Sequence, residues 1–134
     1  MRDIYEGPGA EDLGPSTPHD DLIAGEFPAL SGADVSIAQG QVLERGAVLG
    51  RITAEGATKG QFKLTAAAAA DGSEAARVVL AEGVDTSAGV KTALVYLTGV
   101  FNRNKVIFGA GHTADSTFWD LADAGIQLRD TVRA

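Results

Sequence analysis

The sequence predicts a mainly β (α+β) domain: a small, β-rich, barrel-like body with one helix near its C-terminus and an N-terminal arm that does not fold by itself. Three observations carry this. Apolar residues fall in short runs broken by glycine, the pattern of strands joined by tight turns. One stretch only, residues 114–124, has helical periodicity. All four prolines (Pro8, Pro15, Pro18 and Pro28) lie in the first 34 residues, where eight acids (Asp3, Glu6, Glu11, Asp12, Asp20, Asp21, Glu26 and Asp34) face the single base Arg2. That segment therefore holds the whole formal charge of -7, and the rest of the chain is balanced.

Taken from the N-terminus, residues 1–34 are too polar, too like-charged and too rich in proline to bury the apolar surface that would offset the entropy of ordering them. They are expected to be flexible in the free protein. Leu22-Ile23-Ala24-Gly25-Glu26-Phe27-Pro28-Ala29-Leu30 is the exception, apolar enough to read as a docking segment. Residues 35–134 form the expected body. Val35-Ser36-Ile37-Ala38 alternates at period two, as a half-buried strand does. Val42-Leu43 leads to Ala47-Val48-Leu49-Gly50-Arg51-Ile52-Thr53, a strand whose Gly50 marks a bulge or a close backbone approach. Gln61-Phe62-Lys63-Leu64-Thr65 alternates again.

The alanine run 66–70 has helix propensity but is too short to nucleate, and Asp71-Gly72-Ser73 follows at once, so it reads as a loop or irregular turn. Arg77–Ala81 and Thr92–Phe101 are apolar on both alternating faces, which suits central strands or strands covered by a partner subunit. Val106-Ile107-Phe108 is expected as a further short strand. The helix at 114–124 starts near Thr113 or His112 and stops at Gly125, with Ala114, Phe118, Leu121 and Ala122 on its apolar stripe and Trp119 at the stripe's edge. Ile126-Gln127-Leu128-Arg129 is the last strand.

Composition excludes several chemistries. With no cysteine there is no disulfide, thiolate metal site or cysteine nucleophile. An acidic balance without a cluster of Lys or Arg opposes binding to a phosphate backbone, so nucleic acid is not an expected partner. No stretch approaches the roughly 18 apolar residues of a membrane span, and no basic region precedes an apolar run as in a signal peptide, so the chain is expected to be soluble where it is made and to have no membrane partner.

Gly109-Ala110-Gly111-His112-Thr113-Ala114 has the outline of a dinucleotide-binding turn, but a Rossmann unit needs a second parallel strand and an acid about 20 positions on, and the flanking pattern supplies neither. His112, Asp115 and Ser116 are the residue types of a hydrolytic triad crowded onto one helix start, where capping explains them better. His19 beside Asp20 and Asp21 reads as a solvated acidic stretch, not a metal site. Residues 43–52 share the outline of biotinyl or lipoyl hairpins but lack the lysine those carry. No catalytic residue, metal, cofactor or small-molecule substrate is expected. The competing reading is a small β-barrel ligand-binding module or enzyme subunit built on the Gly109–Gly111 turn.

Five strings in order, HDDLIAGEFP at 19–28, LERGAVLGRIT at 43–53, ARVVLAEGVDTSAG at 76–89, LVYLTGVFN at 94–102 and FGAGHTADS at 108–116, resemble the head decoration (capsid cement) proteins of tailed bacteriophages, of the phage lambda type. The resemblance covers about residues 19–130. It implies a β-tulip or barrel-like body that forms a homotrimer, binds the major capsid protein at three-fold positions on the outer surface of the expanded head, and stabilises the shell against packaged DNA. It also implies a structural protein of the virion, made in the host cytoplasm, whose N-terminal arm orders on the capsid by strand addition. On that basis Leu22, Ile23, Ala24, Gly25, Glu26, Phe27, Pro28 and Leu30 are the expected capsid-binding residues. Val79, Leu94, Tyr96 and Val100, from the strands apolar on both faces, are the expected trimer contacts. The acidic leader Met1–Pro18 is longer than the lambda pattern, and the resemblance assigns it no role.

Overall fold

Two apolar cores share one set of strands. The computed structural model describes residues 22–25 and 28–130. Its strands are β1 (Ile23–Gly25), β2 (Ser31–Ile37), β3 (Val42–Leu43), β4 (Val48–Arg51), β5 (Phe62–Leu64), β6 (Ala76–Leu80), β7 (Val84–Asp85), β8 (Lys91–Asn102) and β9 (Ile126–Arg129), with the helix α1 (Ala114–Ala124) before the last. Following hydrogen-bonded neighbours from β8 through β2, β5, β4 and β6 leads back to β8, so five strands close into a barrel. Every pairing in it is antiparallel except β2 with β5. Strands β3 and β7 pair separately.

The first core is the barrel's interior, filled by Ile37, Leu49, Val78, Leu80, Ala93 and Val95, with Phe62 and Leu64 packed against them. The second lies outside the wall. There Val48, Val79 and Phe101 meet Leu22, Leu121, Ile126 and Leu128, so α1, β9 and the start of the described chain cover that side. Successive side chains of a strand point to opposite faces, and adjacent pairs such as Val48-Leu49 and Val78-Val79 divide between the two cores. This is why β4 and β6 read as continuously apolar: both faces are buried within one chain.

Strand β8 runs through both regions. Its first part pairs with β2 and β6 in the barrel, and its last residues pair with β1 on one side and, in parallel, with β9 on the other. The change of partners coincides with an irregularity: Ser31 and Gly32 oppose Thr98 and Tyr96, leaving Leu97 as an extra residue, and Gly99 has φ of 148°. A bulge followed by a residue in a conformation that side-chain-bearing residues rarely adopt bends the strand from one layer to the other.

The helix has the expected limits. Thr113 caps it by accepting from Ser116 N while the Ser116 hydroxyl accepts from Thr113 N, and Gly125 ends it in the left-handed region with φ of 103°. Leu121 is buried and Phe118 is packed on the second core, as the stripe requires, but Trp119 is 73% exposed and belongs to the outer face. The alanine run forms a turn, and Val106-Ile107-Phe108 contributes only a bridge between Ala47 and Ile107, not the expected strand. The expected division between residues 34 and 35 falls inside β2, which begins at Ser31. Within the expected arm, residues 1–21, Glu26 and Phe27 lie outside the described residues.

Gly50 shows the close approach its position suggested. A Cβ there would run into the Ser73 carbonyl, and the ladder between β4 and β6 shifts register between Leu49 and Gly50. The turn pressed against it is fastened by Asp71, whose carboxylate accepts from Ser73 N at 3.0 Å and Ser73 Oγ at 2.6 Å and pairs with Lys63 Nζ at 2.8 Å. The Lys63 ammonium first, and then the two Ser73 donors, hold the Asp71 carboxyl well below the usual carboxylate range.

Two predictions follow from this packing. Gly50→Ala should lower unfolding stability by about 2–3 kcal/mol, since neighbouring backbone would have to move. Gly40→Ala, where φ is 92° and nothing lies within 4 Å, should cost only about 1–2 kcal/mol from backbone strain. Urea denaturation with equal Gly50 and Gly40 effects would contradict the packing assignment. Because the Asp71 pKa is lowered on folding, its contribution is present above the unfolded value of about 3.9 and is lost as pH falls toward the folded value. Asp71→Asn should therefore cost about 1 kcal/mol at pH 7, with the difference from the native chain shrinking below about pH 4.

Candidate docking surface

Strand β1 is the point at which the N-terminal segment enters the body. Its formation follows from its neighbours: Ile23 pairs with Phe101 and packs on the second core, while Gly25 lies over Val100, its Cα close enough that an added Cβ would sit 3.4 Å from the valine side chain. Just before it, Leu22 is 2% exposed in that core, and its carbonyl accepts from Asn102 N at 2.7 Å. The apolarity of residues 22–25 thus serves the chain's own packing. Leu22 is not a surface side chain, and Ile23, Ala24 and Gly25 are half-buried.

Farther on, the segment reaches the surface. Pro28 is half-buried, whereas Leu30 is 44% exposed and rests over Gly99, where a Cβ would collide with it. Its backbone setting is fixed: Thr98 Oγ1 donates to the Ala29 carbonyl at 2.8 Å and shares a hydrogen bond of 2.7 Å with Ser31 Oγ. Of the expected capsid-binding residues, Leu30 is the described one that presents a large apolar side chain to solvent; Glu26 and Phe27 lie outside the described residues.

The expected trimer contacts divide similarly. Val79 and Val100 are fully buried in the chain's own second core and wall. Tyr96 is half-buried, tilted against Phe101 with ring centroids 5.3 Å apart, and its hydroxyl accepts from Arg45 Nη1 at 2.8 Å. Leu94, 39% exposed and opposite Asp34 on the outer face of the β2–β8 pair, is the one free to meet another molecule. Sequence reasoning missed two surface features. Trp119 projects from α1 beside Asp115, Asp120 and Asp123. Separately, Arg51, Phe62, Arg77, Val78 and Leu97 line an open pocket of roughly 370 Å³, with Ala124 of the helix at its border. Only antiparallel pairing across β4 and β6 brings Arg51 and Arg77 together, so no local string signalled it.

The glycine turn has a structural role. Gly109 N donates to the Thr65 carbonyl at 2.8 Å, and Cβ atoms at Gly109 or Gly111 would strike Thr65 or Ala67. Gly109 admits the Thr65 backbone and Gly111 the Ala67 side chain. His112 lies between Glu74 and Ser116, with Nε2 2.7 Å from the Glu74 carbonyl and Nδ1 3.0 Å from Ser116 Oγ, so it ties the helix start to the loop before β6. Asp115 instead pairs with Arg103 at 3.0 Å. The three residues do not form a relay. Among the described residues no group of three or more His, Cys, Asp or Glu side chains is placed to hold a metal ion, and no helix is long and apolar enough to cross a membrane.

A family model for the bacteriophage lambda head decoration protein D matches residues 15–126. No curated protein matches the chain. The matched span takes in the barrel, the helix and the segment around β1, and ends at Ile126, the first residue of β9.

The contrast between Leu22 and Leu30 is directly testable. Leu22→Ala should cost about 2–5 kcal/mol of unfolding stability, as expected for a buried leucine, whereas Leu30→Ala should stay within about 0.5 kcal/mol of the native chain. Thermal or urea unfolding of the two variants checks the assignment; equal losses would mean that Leu30 too is a core residue.

Proposed function

The chain belongs to the bacteriophage lambda head decoration protein D family, a family of structural proteins of the phage head, and from that membership we propose that it is a cement protein that binds the expanded capsid as a homotrimer at three-fold sites. In this reading the major capsid protein is its partner, the outer surface of the virion its location, and reinforcement of the shell against the outward pressure of packaged DNA its task. The observation that carries it is the family match across residues 15–126, nearly the whole of the described fold.

Physical features of the chain support the reading. A barrel with its own core inside and a second core outside one wall is rigid on both sides of its strands, which suits a part that must resist deformation. The segment before β2 is anchored by Leu22 and β1 and then exposes Leu30, so a partner engaging residues 26–30 pulls on a point tied to the core. Phe27 and Leu30 are the side chains proposed to enter the capsid, and main-chain pairing to the capsid protein supplies the rest of the contact. Joining three such segments in a trimer raises avidity well above that of one, provided all three sites can be engaged together.

Mixing purified protein with expanded and unexpanded capsids and measuring co-sedimentation tests the proposal. Saturable binding to expanded capsids only is expected, and sedimentation should report a trimer; absence of binding to either form would refute the function. Phe27→Ala should weaken each segment by about 1–3 kcal/mol without shifting the melting temperature. Removing residues 1–30 would also remove Leu22 and β1 from the second core, so the informative truncation ends at Asp21.

A further inference from the structure

The acidic leader is left without a role by the attachment reading, and the open pocket beside the helix is left without an occupant. Their chemistries are complementary. Phe62, Val78, Leu97 and Ala124 line the pocket together with Arg51 and Arg77. Both arginines are exposed, and among the described residues neither has an acidic group within ion-pair distance. Leu97, the extra residue of the β8 bulge, is 37% exposed there, an apolar side chain facing water beside the two guanidinium groups. Such a surface suits a short segment with an apolar pair between two carboxylates.

The leader contains one: Asp3-Ile4-Tyr5-Glu6. We propose that this segment docks in the Arg51–Arg77 pocket of the same chain, Ile4 and Tyr5 covering Phe62 and Leu97 while Asp3 and Glu6 face the two guanidinium groups. Arginine suits this because its planar fork can both pair with a carboxylate and lie against an aromatic ring. Charge distribution favours the same match, since the residues up to 34 hold the entire net charge and the body is neutral. The connection is long enough: residues 7–21 can span at most roughly 50 Å, against a radius of gyration of about 13 Å for a body of this size. A tether of that length also keeps the segment at high local concentration around its own pocket, which favours the same chain over a neighbour.

The test uses the full chain without capsids, so its outcome is independent of the attachment reading. Because the sequence has no cysteine, Thr58→Cys gives a unique site for a nitroxide near Gly60, which borders the Arg51 side chain. In uniformly 15N-labelled protein the amides of residues 3–6 should be selectively broadened by the nitroxide. I4S/Y5S, which leaves the barrel unaltered, should remove the broadening, and R51E/R77E should reduce the docked fraction roughly three- to tenfold. Combining R51E/R77E with D3K/E6K should restore it, an outcome that misfolding could not produce. Absence of broadening, or broadening indifferent to all of these changes, would overturn the proposal. So would broadening that appears when labelled chains without the nitroxide are mixed with unlabelled chains that carry it, because the leader would then occupy a neighbour's pocket.

Discussion

Strand β8 hydrogen-bonds to β1, β2, β6 and β9, and every layer of the protein is attached to it. With both ladder edges occupied along most of its length, it must be apolar on the barrel face in its first part and on both faces in its last, and its burial follows that demand from Ala93 and Val95 to Val100 and Phe101. The bulge at Leu97 and the unusual φ of Gly99 let one strand serve two sheets at different angles. Without that bend the helix and β9 would have no wall to cover, and β1 no strand to join. The rigidity proposed for a capsid brace begins with this shared strand, since deforming either core requires moving a ladder that the other core also holds.

Much of this was legible locally. The helix showed its limits because Thr113, Ser116 and Gly125 are capping residues in the right places, and β9 because Ile126 and Leu128 alternate. Gly50 revealed a close approach because a glycine inside a strand has few other uses. Family and fold class were legible too, the former from five ordered strings and the latter from glycine-broken runs. What was not legible depends on partners distant in sequence. Ser31-Gly32-Ala33-Asp34 has no strand-like residues, yet β8 pairs with it along its length, so β2 starts earlier than alternation indicated. Val106-Ile107-Phe108 has the residues of a strand, yet only Ile107 finds a ladder partner, at Ala47.

The docking surface was the least legible part, for a related reason. An apolar segment has the same composition whether it is destined for a partner or for the chain's own core. Leu22 and Leu30 look alike in the sequence and differ only in that Leu22 meets Phe101 and Leu121 while Leu30 overlies Gly99 at the surface. Double-sided apolarity in β6 and β8 posed the same ambiguity between an intermolecular face and a second internal core. Val79 belongs to the internal core, and Val100 is buried within the same chain. The Arg51–Arg77 pocket had no sequence signature, because its residues come together only when the barrel closes.

The pairing of β2 with β8 joins Ile37 to Lys91 and Ser31 to Thr98, and it bears on how the chain acquires its structure during synthesis. Strands β1 to β6 emerge from the ribosome before the strand that closes their barrel, so the early two-thirds of the protein waits without its principal ladder partner. Loop closure over such separations is slow relative to local contacts. By contrast β4 and β5, which join Leu49 to Leu64, pair over a shorter separation than β8 and β9, which join Gly99 to Ile126 around a helix that packs on β9 and β6. The barrel can therefore close only once β8 has left the ribosome, however early β4 and β5 pair, and the outer core, which joins Leu22 and Val48 to Leu121 and Ile126, is completed after it.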